Sequence, residues 1–311
     1  MAHLVESMMY VGKTPWHGLG KEMPEGKKLG IDEALIAAGL DWDVDLRRLY
    51  TEDGFTLLNI HERYAVCRQE DNAVLGIVGP EYTPLQNKEA FAWFQPFLDT
   101  ADVTLETAGS LRGGRWVWVL ARVQRAGLMV GAGDEVAHYV LLSNSHDGSL
   151  AVRVGFTPIR VVCNNTLCLA HESEASKLLR VRHTARLLKN LDDIREIMDI
   201  AHEEFCATIE QYRALMKKEI NQKDLVKYVK LVFDLPEKGG RELISNIAYL
   251  LEYGRGSNMA GNTYWGAYNA VTEYLNYFRG KTQDNTLSSL WFGASFQVSK
   301  RALDVAIEMA S

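Results

Sequence analysis

Hydrophobic and polar residues alternate through the middle of the chain with the two-residue period of β-strands. In residues 115–123 both alternating sets are mostly apolar, which predicts a central strand covered on both faces. Pro158 has no N–H to donate and is therefore predicted to break the last long strand. The pattern predicts an antiparallel meander of four strands and a shorter fifth: 103–107, 115–123, 136–142, 150–156 and 159–163.

Three short stretches connect these strands. Residues 144–148 are a polar cluster that ends in glycine, and its Asn, Asp and Gly tolerate the positive φ angles of tight turns. Residues 110–114 are predicted to form a tight, basic hairpin turn. Residues 127–133 hold three glycines and are predicted to form a loop. The meander is therefore predicted to fold from neighbouring strands joined by hairpins.

A second set of strands is predicted before the meander. Residues 41–48 alternate, and two runs over 55–60 and 64–68 are interpreted as a hairpin that turns at 61–63. A further short strand is predicted over 75–78.

Apolar residues recur at helical spacing near the N-terminus and through the last third of the chain. Gly39 is expected to end the first helix as a C-cap, whereas Asn87 and Asn190 are expected to begin helices as N-caps. Residues 254–262 are predicted to be a loop. The predicted helices cover 31–38, 87–98, the stretch that begins at Asn190, 221–233, 241–253, 263–278 and 295–309.

These elements predict an α+β fold, with an antiparallel β-meander followed by a long helix and a helical C-terminal region. Three parts are expected: an N-terminal arm and short helix over 1–39, an α+β core over 40–190, and a helical region over 191–311. No stretch is apolar enough to cross a membrane and the N-terminus lacks a signal-peptide pattern, so a cytoplasmic location is expected.

The charge of the chain is unevenly distributed along the sequence. The net charge is −6 in total, but the span from Arg112 to Lys189 holds eleven Lys and Arg against five acids and carries +6. The remainder therefore carries −12. A basic zone in an acidic protein is typical of a site for a polyanion, and a chance excess of solvated surface charge is the alternative.

No motif for catalysis or metal binding emerges. Gly12-Lys13-Thr14 lacks the earlier glycine of a P-loop, and the four cysteines form no metal-binding pair. Cys163 is expected to be buried. Asp147 is expected to stabilise the turn that it shares with His146, and an acid–base pair of the two residues is the alternative. We therefore predict no catalytic residue, no metal and no cofactor, although a Cys–His pair that meets only in space stays an alternative.

Arginine dominates the basic zone, which suits bidentate contact with phosphate. Asn164 and Asn165 add amide donors where the strands end. Trp116 and Trp118 are expected to belong to the core rather than to act as stacking platforms for bases. The predicted nucleic-acid contacts come from the meander and from the helix after it: Arg112, Arg115, Arg153, Arg160, Asn164, Asn165, Lys177, Arg180, Arg182 and Arg186.

Five segments resemble a family of phage- and plasmid-like proteins, carried by prophages, plasmids and bacteriophages and known mainly as a domain of unknown function. The resemblance spans nearly the whole chain. The segments are PWHGLG (15–20), AAGLDWDV (37–44), YTPLQNKEAF (82–91), RVVCNNTL (160–167) and WGAYNAVTEY (265–274).

The order of a strand meander followed by a helix is similar to the core of the Rad52/Red-beta/RecT class of single-strand annealing proteins. That similarity implies rings or filaments that hold single-stranded DNA in a basic groove between sheet and helix. We therefore predict a non-enzymatic, homo-oligomeric protein of a mobile element that binds and anneals single-stranded DNA. The alternatives are a nuclease or other enzyme acting on nucleic acid, and an interaction protein that modulates a host system.

Overall fold

The computed structural model describes residues 5–12, 20–25, 29–92, 95, 103–123, 127–149, 152–160, 165–166, 180–181, 192–279, 289–290 and 293–311. Strands and helices are both abundant, which confirms the α+β class. The chain divides into two compact units. Unit 1 comprises Met1–Gln124, Val140–Gly155 and Ser176–Asp193, and unit 2 comprises Arg125–Tyr139, Phe156–Ala175 and Ile194–Ser311. The three predicted parts are not equivalent to these units, and their boundaries stay a prediction.

The main sheet of unit 1 has the strand order β10-β9-β7-β6-β1-β2, and β12 pairs with β10. β1 runs parallel to β2 and antiparallel to β6, so the predicted N-terminal arm contributes a strand to this sheet. β9 and β10 each continue into unit 2. The bounds are β1 (Val5–Val11), β2 (Lys21–Met23), β6 (Val103–Leu111), β7 (Trp116–Val123), β9 (Asp134–Ser145), β10 (Val152–Arg160) and β12 (Arg180–Val181).

The predicted central strand is confirmed in β7. Val117, Val119 and Ala121 are buried on one face, and Trp118 and Leu120 are buried on the other. Since apolar residues on both faces need cover on both sides, this strand anchors the core of unit 1.

A second sheet in unit 1 has the order β3-β4-β5, with β3 (Val44–Asp53), β4 (Thr56–Arg68) and β5 (Val74–Val78). The predicted turn at 61–63 is wrong. β4 runs through it as one strand, and the pairing passes from Arg48↔Tyr64 directly to Leu49↔Ile60, so these residues form a bulge. The hairpin turns instead at Gly54, whose φ is 60°.

Two short helices belong to unit 1. α1 (Ile31–Ala38) has the predicted bounds and ends at Gly39, whose φ of 65° and amide hydrogen bond to the Ile36 carbonyl confirm the predicted C-cap. α2 is described over Asn87–Ala92. The predicted role of Asn87 as N-cap is wrong, because its side chain is buried and bonds to other parts of the unit.

The predicted break at Pro158 is also wrong, because β10 continues through it. On the outer edge of β10, β12 pairs with Val152–Arg153 and β11 (Asn165–Thr166) pairs with Ile159–Arg160. Within the described residues no strand on that edge faces Pro158, so a missing N–H costs no ladder bond there.

Unit 2 begins with a short hairpin where a loop was predicted over 127–133. β8 (Leu128–Gly131) pairs with the first residues of β9, and the chain turns at Gly133, whose φ is 76°. The glycines therefore mark a hairpin turn rather than an unstructured loop.

The helices of unit 2 enclose an apolar core that includes Phe205, Ile209 and Tyr212, as the helical stripe predicts. Asn221 accepts a hydrogen bond from the Asp224 amide and Thr263 from the Gly266 amide, so each caps its helix. Asn190 lies outside the described residues, and the predicted loop over 254–262 contains a one-turn helix. The bounds are α3 (Asp192–Met216), α4 (Gln222–Phe233), α5 (Arg241–Tyr253), α6 (Ser257–Ala260), α7 (Tyr264–Tyr277) and α8 (Ala294–Ala310).

Across the part of the chain that is described, no helix combines the length and the apolar character that crossing a membrane requires.

Candidate nucleic-acid interface

The turn between β6 and β7 in unit 1 carries two of the predicted contacts, Arg112 and Arg115, and both are exposed. Arg112, Gly113 and Gly114 have φ angles of 57°, 68° and 84°, so three successive residues are left-handed. Glycine adopts this conformation freely, but an arginine there costs on the order of 1 kcal/mol. The turn therefore holds Arg112 in a conformation that the residue does not favour.

Arg112 lies over the first aromatic residue of β7. Its guanidinium carbon is 4.2 Å from the centre of the Trp116 ring, which is cation–π distance. The predicted core position is confirmed for Trp118, which is buried, but is wrong for Trp116, which is half-buried at the start of its strand. The Trp116 indole nitrogen donates to Asp147 Oδ2 at 3.1 Å and to Ser149 Oγ at 2.9 Å. These bonds fix the orientation of the ring.

A hydrogen-bond network lies next to the β6–β7 turn. Glu6 accepts hydrogen bonds from Arg68 and from Ser110, each at 3.0 Å. A Cβ atom at Gly114 would lie 3.0 Å from Arg68 Nη1 and 3.3 Å from the Trp42 ring, so only glycine fits closely here. The turn therefore packs directly against Arg68 of this network at Gly114.

Arg68 also pairs with Asp71, with Nη2 and Oδ2 2.7 Å apart. The hydrogen bond from Arg68 is the main reason that the pKa of Asp71 falls to about 2, and the bond to the Ala73 amide adds to it. The Arg68 guanidinium lies 5.2 Å from the centre of the Trp42 ring. Its charge is thus shared between two carboxylates and an aromatic ring, and the pKa of Arg68 is raised, mainly by the bond to Asp71.

The neighbouring turn after β9 meets the first one. The His146 amide donates to the Arg115 carbonyl at 2.7 Å, which joins the end of β9 to the start of β7. Asp147 Oδ1 accepts from the amide and hydroxyl of Ser149, so the prediction that Asp147 stabilises this turn is confirmed. Gly76 lies beneath it, and a Cβ there would be 2.4 Å from Asp147 Cα.

The His146 side chain is buried completely and does not face solvent. Its Nε2 lies 3.0 Å from Asn87 Oδ1, and its ring centre lies 5.2 Å from that of Trp42. Asn87 Nδ2 donates to the carbonyls of Leu40 and Trp42 at 3.0 and 3.3 Å. These bonds give His146 a structural role beneath the turns.

Tyr82 provides a further link to β9. Its hydroxyl donates to the Ser145 carbonyl at 2.8 Å. Burial is the main reason that the pKa of Tyr82 rises above its usual value, and the negative charge of Asp147 adds to it. Tyr82 therefore stays protonated and keeps donating this bond at any physiological pH.

The strand register brings two further predicted contacts together in unit 1. Arg153 of β10 is the Cα partner of Arg180 of β12. Arg153 lies at the start of β10, two strands from β7 in the sheet order, so about 10 Å separates these strand axes. We call Arg112, Arg115, Trp116, Arg153 and Arg180 the arginine cluster.

The other predicted contacts lie elsewhere. Arg160 and Asn165 are Cα partners across β10 and β11 in unit 2. Asn164, Lys177, Arg182 and Arg186 lie outside the described residues, as does Cys163.

Two features escaped sequence reasoning. The register of Arg153 and Arg180 joins residues 27 positions apart and has no local signal. Trp116 fits the alternating pattern of the core residues in its strand. Only its hydrogen bonds to Asp147 and Ser149 show that it lies at the end of the strand near the surface.

Over the described ranges, no group of three or more His, Cys, Asp and Glu side chains is arranged to hold a metal ion. Cys67 and Cys206 are both free thiols. The chemistry that this region offers is positive charge beside an aromatic face.

Comparison with protein families gives a match over most of the chain. The family model described as "Domain of unknown function (DUF932)" matches residues 74–291, from the first residue of β5 to beyond α7. No curated protein and no solved structure matches the chain.

Proposed function

The chain belongs to the DUF932 family, and we propose that it is a non-enzymatic protein that binds and anneals single-stranded DNA. In this proposal it serves a mobile genetic element, acts as an oligomer in recombination or replication, and works in the cytoplasm. The observation that carries the proposal is the stacked pair of Arg112 and Trp116 on an exposed turn.

Proteins that bind single strands combine positive charge along the backbone with aromatic faces on which bases stack. Trp116 is half-exposed and held by hydrogen bonds, so it loses little freedom when a base stacks on it. Arg112 extends the aromatic surface with its planar guanidinium, and exposed Arg115 offers a phosphate contact three residues away. Stacking of this kind needs an unpaired base, which favours single strands over duplex.

The pairing of β10 with β12 supports the proposal that the ligand is an anion. Like charges at directly opposed positions destabilise a sheet unless something neutralises them. Arg153 and Arg180 share one register position, and a phosphate is the natural counter-charge for two arginines. In this proposal a single DNA strand that binds at both the β6–β7 turn and the β10–β12 pair contacts all four arginines of the arginine cluster.

The left-handed backbone conformation of Arg112 supports a functional role for the β6–β7 turn. A left-handed arginine persists only where its surroundings hold it, and strained residues concentrate at functional sites. Ser110, two residues before Arg112, is bonded to Glu6, which also accepts a hydrogen bond from Arg68.

Salt titration of single-strand binding tests the proposal. Each phosphate contact contributes about −0.7 to the log–log slope of affinity against salt. Arg153→Ala and Arg180→Ala should each weaken binding of a labelled oligothymidine and make the slope shallower by about 0.7. Trp116→Leu should weaken binding by about 1–3 kcal/mol and leave the slope unchanged, because it removes stacking and no charge.

Lys217→Ala is the matched control, since Lys217 is an exposed cation outside the arginine cluster and should change neither affinity nor slope. Wild-type affinity and slope in all three cluster variants would contradict the proposal. Equal binding of duplex and single strands by the wild type would contradict the role of Trp116.

A further inference from the structure

A two-stranded ribbon extends from the three-stranded sheet of unit 1 and is exposed on both faces. It comprises residues 48–63, the distal parts of β3 and β4, and we call it the β-arm. β5 pairs with β4 only as far as Tyr64, so no third strand reaches the β-arm within the described residues. Two strands alone are marginally stable in water.

The β-arm exposes large apolar side chains. Tyr50 is 51% exposed and Leu57 69% exposed, and Phe55, Leu58 and Ile60 are exposed as well. Single exposed apolar residues are common at protein surfaces, but five on one short ribbon are typical of an interaction site. Tyr50 and Leu57 lie on one face of the ribbon, whereas Leu58 and Ile60 lie on the other.

One face of the β-arm has a distinctive order of charges. Arg48, Tyr50 and Glu52 follow each other at two-residue spacing on β3 and therefore share a face. Leu57 pairs with Glu52 across the ribbon. The face thus places a positive charge and a negative charge about 7 Å to either side of an exposed tyrosine.

Neither charge has an ion-pair partner among the described residues. Arg48 and Glu52 are both exposed, and neither forms an ion pair with any described residue. Arg47, on the opposite face, already pairs with Asp45 at 2.9 Å. The Arg48–Tyr50–Glu52 face therefore offers one exposed charge of each sign to a partner.

We propose that this face of the β-arm binds the same face of a second copy of the chain, with the two Tyr50 side chains at a two-fold axis. In a two-fold contact, residue i of one copy meets residue j of the other and j meets i. An antiparallel arrangement about Tyr50 sets Arg48 of each copy against Glu52 of the other. The pattern is self-complementary, which is what an isologous interface requires.

Other occupants fit less well. The β-arm carries two arginines, Arg48 and Arg63, against three acids, Glu52, Asp53 and Glu62, so it does not attract a polyanion or an anionic membrane. This contact rests on the proposed function, for which it supplies the surface that joins the oligomer. Its test contains no DNA, so the two can fail separately. The copies can fail to associate while the arginine cluster still binds single-stranded DNA, or they can associate while the cluster binds none.

Charge reversal tests the pairing. Arg48→Glu and Glu52→Arg should each turn both contacts between copies repulsive and weaken association at least about tenfold. The double variant restores opposite charges and should associate like wild type. An equimolar mixture of the two single variants should also associate, because each supplies the charge that the other lacks.

Sedimentation velocity of the full chain at micromolar concentration gives the readout, with circular dichroism to show that every variant is folded. Thr51→Glu is the control, since Thr51 lies on the opposite face of the same strand and should leave association unchanged. A monomeric wild type, undiminished association of both single variants, or a mixture that stays monomeric would each overturn the proposal.

Discussion

Asn87 and His146 are joined by a 3.0 Å hydrogen bond between Oδ1 and Nε2, and both side chains are buried. The bond connects the start of α2 to the turn after β9, 59 residues later. Because Asn87 also holds two backbone carbonyls, it is the central polar residue beneath the candidate interface.

We expect Asn87→Leu to lower the free energy of unfolding by about 2–4 kcal/mol, since three buried polar groups lose a partner at once. Urea denaturation followed by fluorescence measures the change. Lys88→Ala, at the exposed neighbouring position, should stay within about 0.5 kcal/mol of wild type. A loss for Asn87→Leu as small as that control would show that the network is not a determinant of stability.

Gly76→Ala should destabilise the protein by about 1–3 kcal/mol and weaken single-strand binding. The added Cβ would lie 2.4 Å from Asp147 Cα, so the turn must move and Trp116 loses its fixed hydrogen bond. Thermal melting and the binding titration measure the two effects. At Gly79 a Cβ would meet only the end of Arg63 at 3.7 Å, so Gly79→Ala should change neither quantity.

Acid should weaken the pair of Arg68 and Asp71. The pKa of Asp71 is lowered from 3.8 to about 2 in the folded protein, so its contribution to stability is present above about pH 4 and is lost as the pH falls toward 2. The melting temperature of Asp71→Asn should lie below that of wild type at neutral pH, with the difference shrinking over this interval. Because the pair is partly exposed, the difference should be small and should decrease with salt. A difference that stays constant down to pH 2 would contradict the assignment.

Labelled single-stranded DNA incubated with the protein and Mg²⁺ or Mn²⁺ should stay uncut. His146 is fully buried, and Asp147 is engaged with Trp116 and Ser149. Gel analysis of the products checks this expectation. Reproducible cleavage that disappears in Asp147→Asn would favour the nuclease alternative instead.

The sequence predicted best those elements whose signals are local. α1 and α5 have the predicted bounds, and the predicted C-cap at Gly39 follows from a residue type that satisfies a helix end by itself. β7 was predictable because a strand with apolar residues on both faces must be covered on both sides.

Predictions failed where one local pattern has two structural outcomes. The polar residues 61–63, with a positive φ at Glu62, are compatible with either a turn or a bulge. Only the pairing of β4 with β3 decides between the two. Asn87 resembles an N-cap until its buried partners are known. The arginine cluster was identified by charge, but the stacking of Arg112 on Trp116 and the pairing of Arg153 with Arg180 depend on strand register, which composition does not encode.

The chain passes between its two units four times after first leaving unit 1, and two of those passages occur within the strands β9 and β10. Neither unit is therefore a contiguous gene segment that could be inherited, exchanged or expressed by itself. A fragment cut at residues 74 and 291, the limits of the family match, would lack β1, the partner of β6, and also β3, β4 and α8. The family match thus marks a stretch of sequence and not a unit that is expected to fold by itself.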